Sequence, residues 1–289
     1  MRVFIYPNLL KTNSLRCAEQ ACGILLEEDC EIYMEESYKE SFGEMFSIKY
    51  FTLEECVEGC DVIIVTGGDG TILRCSSAAA RYSKPILGIN CGTLGFMASL
   101  EADDLDKLRL LRRGEYTVTE RMRLSVKVKC ESGEEICADA LNDVVLIKGE
   151  NCRIADFEVS KSGSIVSSLR ADGVIFSTAT GATAYSLSAG GPIIEPDMEC
   201  IEFSQICAHS LFARTIVFSP DSHISVRCRF KHDAYALLSA DGIQTAKITD
   251  RDIVKIERSK ITTKIIDLTA GSFFPTVNRK LMIPLKDTE

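Results

Sequence analysis

The pattern of hydrophobic residues changes along this chain of 289 residues, and that change constrains the fold more than any other feature. In roughly the first hundred residues, short apolar runs such as DVIIV at 61–65 alternate with stretches of helical character, which is typical of a parallel sheet covered by helices. From about residue 116 apolar and polar residues alternate with period two, as in TVTERMRLSVKVKC, which is typical of half-buried strands. The sequence therefore predicts two domains of different class.

We expect an α/β domain with an open parallel sheet over residues 1–115 and a β-rich, β-sandwich-like domain over residues 116–270. The last segment, residues 271–289, has helical character and is expected to return to the first domain. Two domains with separate cores are the natural arrangement at this length. A hydrophobic content of 46% with 26% charged residues argues against a disordered or fibrous chain.

Charge and cysteine content narrow the classes of function. The net charge of −9 disfavours a general nucleic-acid binder, since such proteins hold the phosphate backbone with clustered Lys and Arg. The 13 cysteines form no CxxC pair and accompany only 3 histidines, so neither a disulfide framework nor a zinc site is expected. The amino terminus lacks a secretory pattern and no apolar stretch has membrane-spanning length, so we expect a cytoplasmic protein without a membrane partner.

The first candidate site is TGGDGTIL at residues 66–73, which follows a buried strand and precedes a helical segment. Its glycines can adopt a positive φ and let a phosphate approach the backbone at Gly70, while the helix amino terminus directs amides and a positive dipole end at the anion. Asp69 is expected at the carboxyl edge of the sheet, where the binding crevice forms. An isolated GGDG can equally be a tight turn whose Asp69 caps the helix.

The second candidate is the pair Asn142 and Asp143 at the head of a predicted strand. An amide both donates and accepts and a carboxylate accepts, so together they suit the two hydroxyls of a ribose. Taken alone, the pair is more simply an Asx turn that opens a hairpin.

The third and most specific signal is DGVIFSTATGATAYSLSAGGPIIEP at residues 172–196. Its small and hydroxyl-bearing residues offer a backbone that can lie against a flat purine and many hydrogen-bond donors, and Tyr185 adds an aromatic face. The alternative is a surface loop, or a helix that packs closely through its small residues.

Together these motifs resemble the NAD kinase family. GGDGT is shared with diacylglycerol-type lipid kinases and phosphofructokinases, but LGINCGTLGFMASL at residues 87–100 and the segment at 172–196 resemble NAD kinases. The family commonly has STPTGSTAY in the latter segment, whereas this chain has Ala179 in place of the Pro and Ala182 in place of a Ser.

The resemblance implies an enzyme that transfers a phosphate from ATP or another donor to the 2′-hydroxyl of the adenosine ribose of NAD, with Mg²⁺ or another divalent cation on the donor phosphates. It implies that Asp69 is the catalytic carboxylate, that NAD lies in a cleft between the domains, and that the protein is a homodimer or homotetramer. The expected contacts to the substrates are Asp69, Gly70, Asn142, Asp143, Arg153, Arg170, Asp172, Thr183, Ala184, Tyr185, Ser186, Leu187 and Ser188.

Two kinds of alternative stay open. Arg153 and Arg170 can contact the NAD pyrophosphate or pair with an acid such as Asp156 or Asp172, and a plain surface charge is equally compatible. At the level of the whole protein, a dinucleotide sensor without catalysis is disfavoured by the presence of Asp69. A lipid-type kinase is disfavoured because its own motif and a membrane-binding amphipathic stretch are lacking.

Overall fold

The structure, a computed structural model, describes residues 1–43, 47–92, 95–150, 152, 154–210, 213–230, 234–268 and 273–281. The chain divides into two compact units. The first consists of Met1–Glu120 with Thr263–Glu289, and the second of Arg121–Thr262. Within the described part of the chain, no helix is both long and apolar enough to cross a membrane.

Helices alternate with strands in the first part of the chain, and strands predominate in the rest. The first part contains β1 (Arg2–Pro7), α1 (Thr12–Glu27), β2 (Glu31–Glu35), a 3-10 turn (Glu36–Tyr38), α2 (Lys39–Phe42), β3 (Ile48–Phe51), α3 (Leu53–Gly59), β4 (Val62–Gly67), α4 (Asp69–Arg81), β5 (Ile86–Asn90), β6 (Leu100–Glu101), a 3-10 helix (Ala102–Leu108), α5 (Arg109–Arg113) and β7 (Thr117–Arg121). The rest contains β8 (Leu124–Lys129), β9 (Glu135–Ala140), β10 (Asp143–Lys148), β11 (Ala155–Lys161), β12 (Ser164–Ala171), β13 (Gly173–Ser177), a 3-10 turn (Gly181–Thr183), α6 (Tyr185–Ser188), β14 (Ile201–Ile206), β15 (Ile216–Phe218), β16 (Ile224–Arg229), β17 (Ala236–Ala240), β18 (Ile243–Ile248), β19 (Ile253–Arg258), β20 (Thr263–Asp267) and α7 (Phe273–Leu281).

The sheet of the first unit has the strand order β3-β2-β1-β4-β5-β20-β7, with β6 beside β5. The pairs from β3 to β20 are parallel. The chain adds β2 and β3 on one side of β1 and then β4 and β5 on the other, so the direction of strand addition reverses between β1 and β4. Such a reversal separates the ends of neighbouring strands and opens a crevice at their carboxyl ends.

Alternate residues of each central strand pack against helices on opposite faces of this sheet. Val3 and Ile5 lie in one apolar cluster with residues of α1, whereas Phe4 lies in another with residues of α3 and α4. Because both faces are covered, β4 is buried along its whole length. The continuous apolar run that the sequence shows is thereby explained.

The predicted boundary at residue 270 differs from the structure. Thr263–Asp267 forms β20, which pairs parallel with β5 through Ile265 and Ile86 and belongs to the first unit. The strand is only five residues long and contains the adjacent Ile265 and Ile266. So short an apolar run fits either kind of sheet, and the local pattern does not reveal which sheet the strand joins. The other boundary lies after Glu120 rather than after residue 115, because β7 extends the same sheet next to β20.

The second unit is a β-sandwich, as predicted. One sheet has the order β15-β14-β13-β10-β17-β18 and the other β12-β11-β16-β19-β8-β9, with antiparallel pairing in both. Alternate residues of the two sheets form a single core, with Val144, Phe176 and Phe203 from the first sheet and Phe157 and Val226 from the second. The period-two pattern of the sequence follows from this one-sided burial. The predicted combination of an α/β domain and a β-rich domain is confirmed.

Candidate functional site

The first candidate site lies at the carboxyl end of β4, where the strand order of the first unit reverses. β4 ends at Gly67 and α4 begins at Asp69, with Gly68 as its amino-terminal cap. In open α/β sheets the crevice beside such a reversal is the usual ligand site. The local sequence therefore brings Asp69 to the edge of the first unit at which a ligand is expected.

The glycines of this loop do not act as predicted, because none of Gly67, Gly68 and Gly70 has a positive φ. Gly67 is required instead by a close approach, since a Cβ there would lie 2.5 Å from Thr71 Oγ1. Gly70 is exposed, and apart from its chain neighbours and the backbone of its own helix no atom of the described residues lies within 4 Å of the place a Cβ would take. That open space leaves room for an anion at the amino end of α4, although the amides of Thr71 and Ile72 already donate to Gly68 O.

The Asp69 carboxylate binds backbone amides of another loop rather than capping α4. Its Oδ2 accepts a hydrogen bond from Phe96 N at 2.8 Å, and its Oδ1 accepts one from Met97 N at 3.0 Å. The packing is tight, because a Cβ on Gly95 would lie 2.3 Å from Asp69 Oδ1. The cap residue of α4 is a glycine without a side chain, so the capping alternative does not describe Asp69. The carboxylate is partly exposed and held in one orientation.

Asn8, which no sequence motif singles out, connects the end of β1 to this site. Its backbone amide donates to Thr66 O at 3.0 Å and to Ser14 Oγ at 2.8 Å. Its side-chain Nδ2 donates to Thr71 Oγ1 at 3.2 Å. The two strands that flank the reversal are thereby cross-linked. An Asn after a strand is a general turn signal, so the sequence alone could not reveal this contact.

In the second unit, Asn142 and Asp143 lie at the start of β10, and Asp241 holds their backbone. Asp241 Oδ2 accepts from Leu141 N at 2.7 Å, and Oδ1 accepts from Asn142 N at 2.8 Å and Asp143 N at 3.2 Å. Asp241 and Gly242 form the turn between β17 and β18 with φ values of 50° and 76°. The Asp-Gly pair is a strong turn signal, but it does not indicate a contact with a residue 99 positions away.

Asn142 is partly buried and Asp143 is buried. Asn142 Oδ1 is buried and has no hydrogen-bond partner among the described residues, which argues against the Asx turn that is the simpler alternative. Buried polar atoms are almost always paired, so this oxygen points to a donor supplied by a ligand. Asp143 is 7% exposed, and burial, followed by the charge of Asp241, raises the pKa of its carboxyl to about 7.

The segment that follows β13 packs its backbone directly on Asn142. Thr178 N donates to Asn142 O at 2.9 Å and Thr178 Oγ1 donates to Leu141 O at 2.6 Å. A Cβ on Gly181 would lie 2.2 Å from Asn142 O, so only glycine permits this approach. Thr178 and Gly181 of the hydroxyl-rich motif therefore attach the segment after β13 to the backbone of the Asn142–Asp143 pair.

The predicted adenine-contact residues differ in how far their side chains are exposed. Tyr185 is 41% exposed. Ser188 is also exposed, and the side chains that are partly buried are those of Thr183, Ala184 and Leu187. Ser186 is fully buried, and its hydroxyl donates to Glu202 Oε1 and lies 2.9 Å from Ser204 Oγ. The structure thus places the Ser186 hydroxyl inside the unit, unlike the ligand contact that the motif predicted for it.

One of the two departures from the family motif has a packing explanation. Ala179 and Ala182 are buried together with Ile194 and Cys200 in a small apolar cluster. A serine at position 182 would bring a hydroxyl into that cluster and require a partner there, so the surroundings favour alanine. Nothing in the structure explains the alanine at position 179.

The basic residues near the second motif pair with acids on the same sheet. Arg170 Nε donates to Asp156 Oδ1 at 2.8 Å, and Lys148 Nζ donates to Asp172 Oδ1 at 2.6 Å. Both pairs are accessible to solvent, and such pairs contribute little to stability. The surface-pair alternative thus describes Arg170 in this structure. Arg153 lies outside the described residues.

Both halves of the chain match known domains. The family model for the ATP-NAD kinase N-terminal domain matches residues 3–116, and that for the ATP-NAD kinase C-terminal domain matches residues 141–268. A Natranaerobius thermophilus protein named NAD kinase is 34% identical over 281 residues, which cover 96% of this chain and 97% of that protein.

Two solved structures share the fold. Yeast NADH kinase complexed with NADH has a TM-score of 0.90 at 23% identity and covers 100% of this chain and 90% of its own. An NAD kinase from Archaeoglobus fulgidus in complex with ATP has a TM-score of 0.74 at 24% identity and covers 98% of this chain and 99% of its own. With both domain models matched and a relative aligned end to end, the chain belongs to the NAD kinase family.

Proposed function

We propose that this protein transfers the γ-phosphate of ATP to the 2′-hydroxyl of the adenosine ribose of NAD and so produces NADP and ADP. The observation that carries the proposal is the Asp69 carboxylate, fixed by two backbone amides at the strand-order reversal of a chain from the NAD kinase family. Phosphoryl transfer needs positioned groups and charge neutralisation more than covalent catalysis. An oriented carboxylate at a helix amino terminus suits that requirement.

Asp69 is proposed to orient the acceptor hydroxyl and take its proton. Each carboxylate oxygen accepts one backbone amide and keeps further lone-pair capacity for a ribose hydroxyl. As the bond from the ribose oxygen to phosphorus forms, that hydroxyl loses its proton, and the carboxylate is the acceptor within reach. The leaving ADP takes the electron pair of the broken bond between phosphorus and the bridging oxygen.

The adenosine half of NAD is proposed to bind to the second unit. Asn142 Oδ1 would accept a hydrogen bond from a ribose hydroxyl, and this contact would satisfy an oxygen that is otherwise buried without a partner among the described residues. Asp143 would accept from the neighbouring hydroxyl. The exposed ring of Tyr185 would contact adenine, together with the backbone of the segment from Thr183 to Ser188. Arg153, Arg170 and Asp172 stay predicted contacts to the dinucleotide.

The donor triphosphate is proposed to lie against Gly70 and the amino end of α4, where amides and the helix dipole favour an anion. Mg²⁺ or another divalent cation, carried by the phosphate oxygens, would neutralise part of the developing charge. The structure fits this arrangement in one respect, since the partly exposed Asp69 carboxylate is a hard oxygen donor at the same place.

A homodimer or homotetramer in the cytoplasm is proposed as the working form, as the family resemblance implies. Several strands at the edges of the two sandwich sheets expose apolar side chains, namely Ile165 on β12, Val217 on β15 and Ile243 on β18. Unpaired edge strands with apolar side chains are typical contact surfaces between chains. Light scattering of the purified protein will give the mass of the assembly.

The activity is tested by incubating the purified protein with NAD, ATP and Mg²⁺ and measuring NADP with an NADP-specific dehydrogenase. NADP formation is the expected result. Binding of NAD without NADP formation would instead favour the sensor, and phosphorylation of a diacylglycerol but not of NAD would favour the lipid kinase. An NAD analogue without the adenosine 2′-hydroxyl should bind and not react, whereas its phosphorylation would show that the acceptor oxygen is wrongly assigned.

A further inference from the structure

One sheet of the second unit carries a row of polar residues on the face opposite the core. Asp143 is paired in register with Ser177, and Ser177 with Glu202. Residues paired across neighbouring strands point to the same face, and their chain neighbours Val144 and Phe203 belong to the core on the other face. Asp143 and Glu202 therefore lie on one face, two strands or about 10 Å apart.

Glu202 is fully buried in a cluster of hydroxyl groups beneath α6. Its Oε1 accepts from Ser186 Oγ at 2.5 Å and from Ser204 Oγ at 3.0 Å, and Ser204 Oγ also lies 2.9 Å from Thr215 Oγ1. Its Oε2 is buried and has no hydrogen-bond partner within the described part of the chain. Burial raises the pKa of this carboxyl, and the two serine hydroxyls only partly oppose the shift. We call these four residues the Glu202 cluster.

A buried carboxyl with an unpaired oxygen costs free energy that an apolar residue of the same size would not. The position of the Glu202 cluster indicates what role Glu202 has. Ser186 belongs to α6, which has only 4 residues and is too short to be stable by itself. The chain then returns over the carboxyl so closely that a Cβ on Gly191 would lie 2.2 Å from Glu202 Oε1. The hydrogen bond from Ser186 to Glu202 therefore connects α6 to the sheet that also carries Asp143.

We infer that Glu202 is a positioning residue for the dinucleotide: through Ser186 it fixes α6, and with it the exposed Tyr185, relative to Asp143. The inference rests on the proposed function. Glu202 itself touches no substrate, because it is fully buried. Its loss should therefore weaken NAD binding and leave the phosphoryl transfer step, which depends on Asp69, nearly unchanged.

The test compares Glu202→Leu, Glu202→Gln and Ser186→Ala in the NADP-forming assay. Glu202→Leu removes both acceptor oxygens at similar size, so KM for NAD should rise about tenfold with kcat changed less than about twofold. Ser186→Ala should give a KM effect in the same direction. Glu202→Gln keeps an oxygen that can accept from Ser186, so its KM should stay within about threefold of wild type.

Asp252→Leu is the matched control, because Asp252 is another buried carboxylate of the second unit that binds local groups, here the amides of Glu131 and Thr249. It should lower the melting temperature without a selective rise in KM. If Glu202→Leu does not fold, Ser204→Ala and Ser186→Ala carry the test.

An unchanged KM in the folded variants, or an effect equal to that of Asp252→Leu, would overturn the inference. Variants in which kcat decreases while KM stays unchanged would also overturn the inference. Failure of the proposed function is distinguishable, because it would show as a wild-type protein that forms no NADP.

Discussion

Asp69 and Asp143 carry the same type of side chain, but the hydrogen bonds that fix the two residues differ. At Asp69 the backbone holds the side chain, because two amides of the loop after β5 donate to its carboxylate. At Asp143 a side chain holds the backbone, because Asp241 accepts from the amides of residues 141–143. The first arrangement fixes the direction of a carboxylate that is partly exposed. The second fixes the strand and leaves the Asn142 oxygen for a ligand.

The surroundings of the two carboxyls differ as much as their attachment. Asp143 is 7% exposed and lies near the partly buried Asp241, which explains why the pKa of its carboxyl is raised to about 7. Asp69 is partly exposed and receives hydrogen bonds from two amides. Environment rather than residue type thus assigns their roles, and we expect a base at Asp69 and a hydroxyl-binding group at Asp143.

The largest effect is expected from Asp69→Asn, which should lower kcat by roughly 10² to 10⁴, the usual range for loss of a general base. Asn keeps the size and one acceptor oxygen but cannot take the ribose proton. It also replaces one amide-accepting oxygen with a donor, so the loop at Phe96 and Met97 will lose one hydrogen bond. Calorimetry should show that much of the NAD affinity is retained.

Gly95→Ala is the control for that loss of loop contact, because a Cβ there lies 2.3 Å from Asp69 Oδ1 and displaces the carboxylate without removing it. We expect a smaller fall in kcat than in Asp69→Asn and a lower melting temperature. Near-normal turnover of a well-folded Asp69→Asn protein would disprove the assignment of the base.

The second prediction concerns the free energy of unfolding and its dependence on pH. The folded protein holds the Asp143 proton up to about pH 7, whereas the unfolded chain releases it near the ordinary value of 3.8. The stability contributed by this group is therefore complete below the ordinary value and is lost as the pH rises through the folded value. Between about pH 5 and pH 8 the loss should be about 3 kcal/mol, measured by urea unfolding.

Asp143→Asn should remove most of this slope, because the amide does not titrate. Asp241→Asn removes the neighbouring charge that contributes to the raised pKa of Asp143, so it should make the loss of stability smaller. A slope that is identical in wild type and Asp143→Asn would show that other groups cause it.

A third and smaller effect is expected from Tyr185→Ala. A side chain that contacts adenine stabilises the ground state and the transition state alike, so KM for NAD should rise about tenfold while kcat changes little. Steady-state kinetics with NAD varied at saturating ATP will measure both constants. A normal KM for NAD would show that Tyr185 does not contact the dinucleotide.

The smallest effect is expected from Arg170→Ala, and it separates the two interpretations of that residue. The exposed pair with Asp156 contributes little to stability, so its loss should hardly change the melting temperature. If Arg170 exchanges Asp156 for the NAD pyrophosphate, KM for NAD should rise about threefold or more. Asp156→Ala is the control, because it frees Arg170 and should not raise KM. An unchanged KM for NAD in Arg170→Ala would show that Arg170 pairs with Asp156 and does not contact the NAD pyrophosphate.

The fold class could be predicted because it depends on local patterns. The apolar run at 61–65 indicates a strand that is buried on both faces of its sheet. The period-two alternation after residue 116 indicates strands that are buried on one face only. The boundary near residue 270 could not be predicted in this way. β20 is a short strand in which Ile265 and Ile266 are adjacent, and only its pairing with β5 assigns it to the first unit.

The candidate site shows the same division. Asp69, Asn142 and Asp143 stand out in the sequence because each lies in a short motif at the end or start of a strand. The contacts of Asn8, Asp241 and Glu202 give no such signal, since their partners are 63, 99 and 16 positions away in the chain. The position of the glycine loop was predicted correctly, but its conformation was not. Gly67 is required by the close approach of the Thr71 side chain and does not have a positive φ.

The two domain classes, the family and the motifs of the proposed chemistry follow from the amino-acid sequence alone, because they depend on residue type and on spacing along the chain. What holds those motifs in place is visible only in the folded protein: the amides that bind Asp69, the carboxylate that binds the backbone of Asn142 and the buried Glu202 beneath α6. A hydrogen bond depends on distance in space. Folding brings together groups whose separation along the chain carries no signal of their contact.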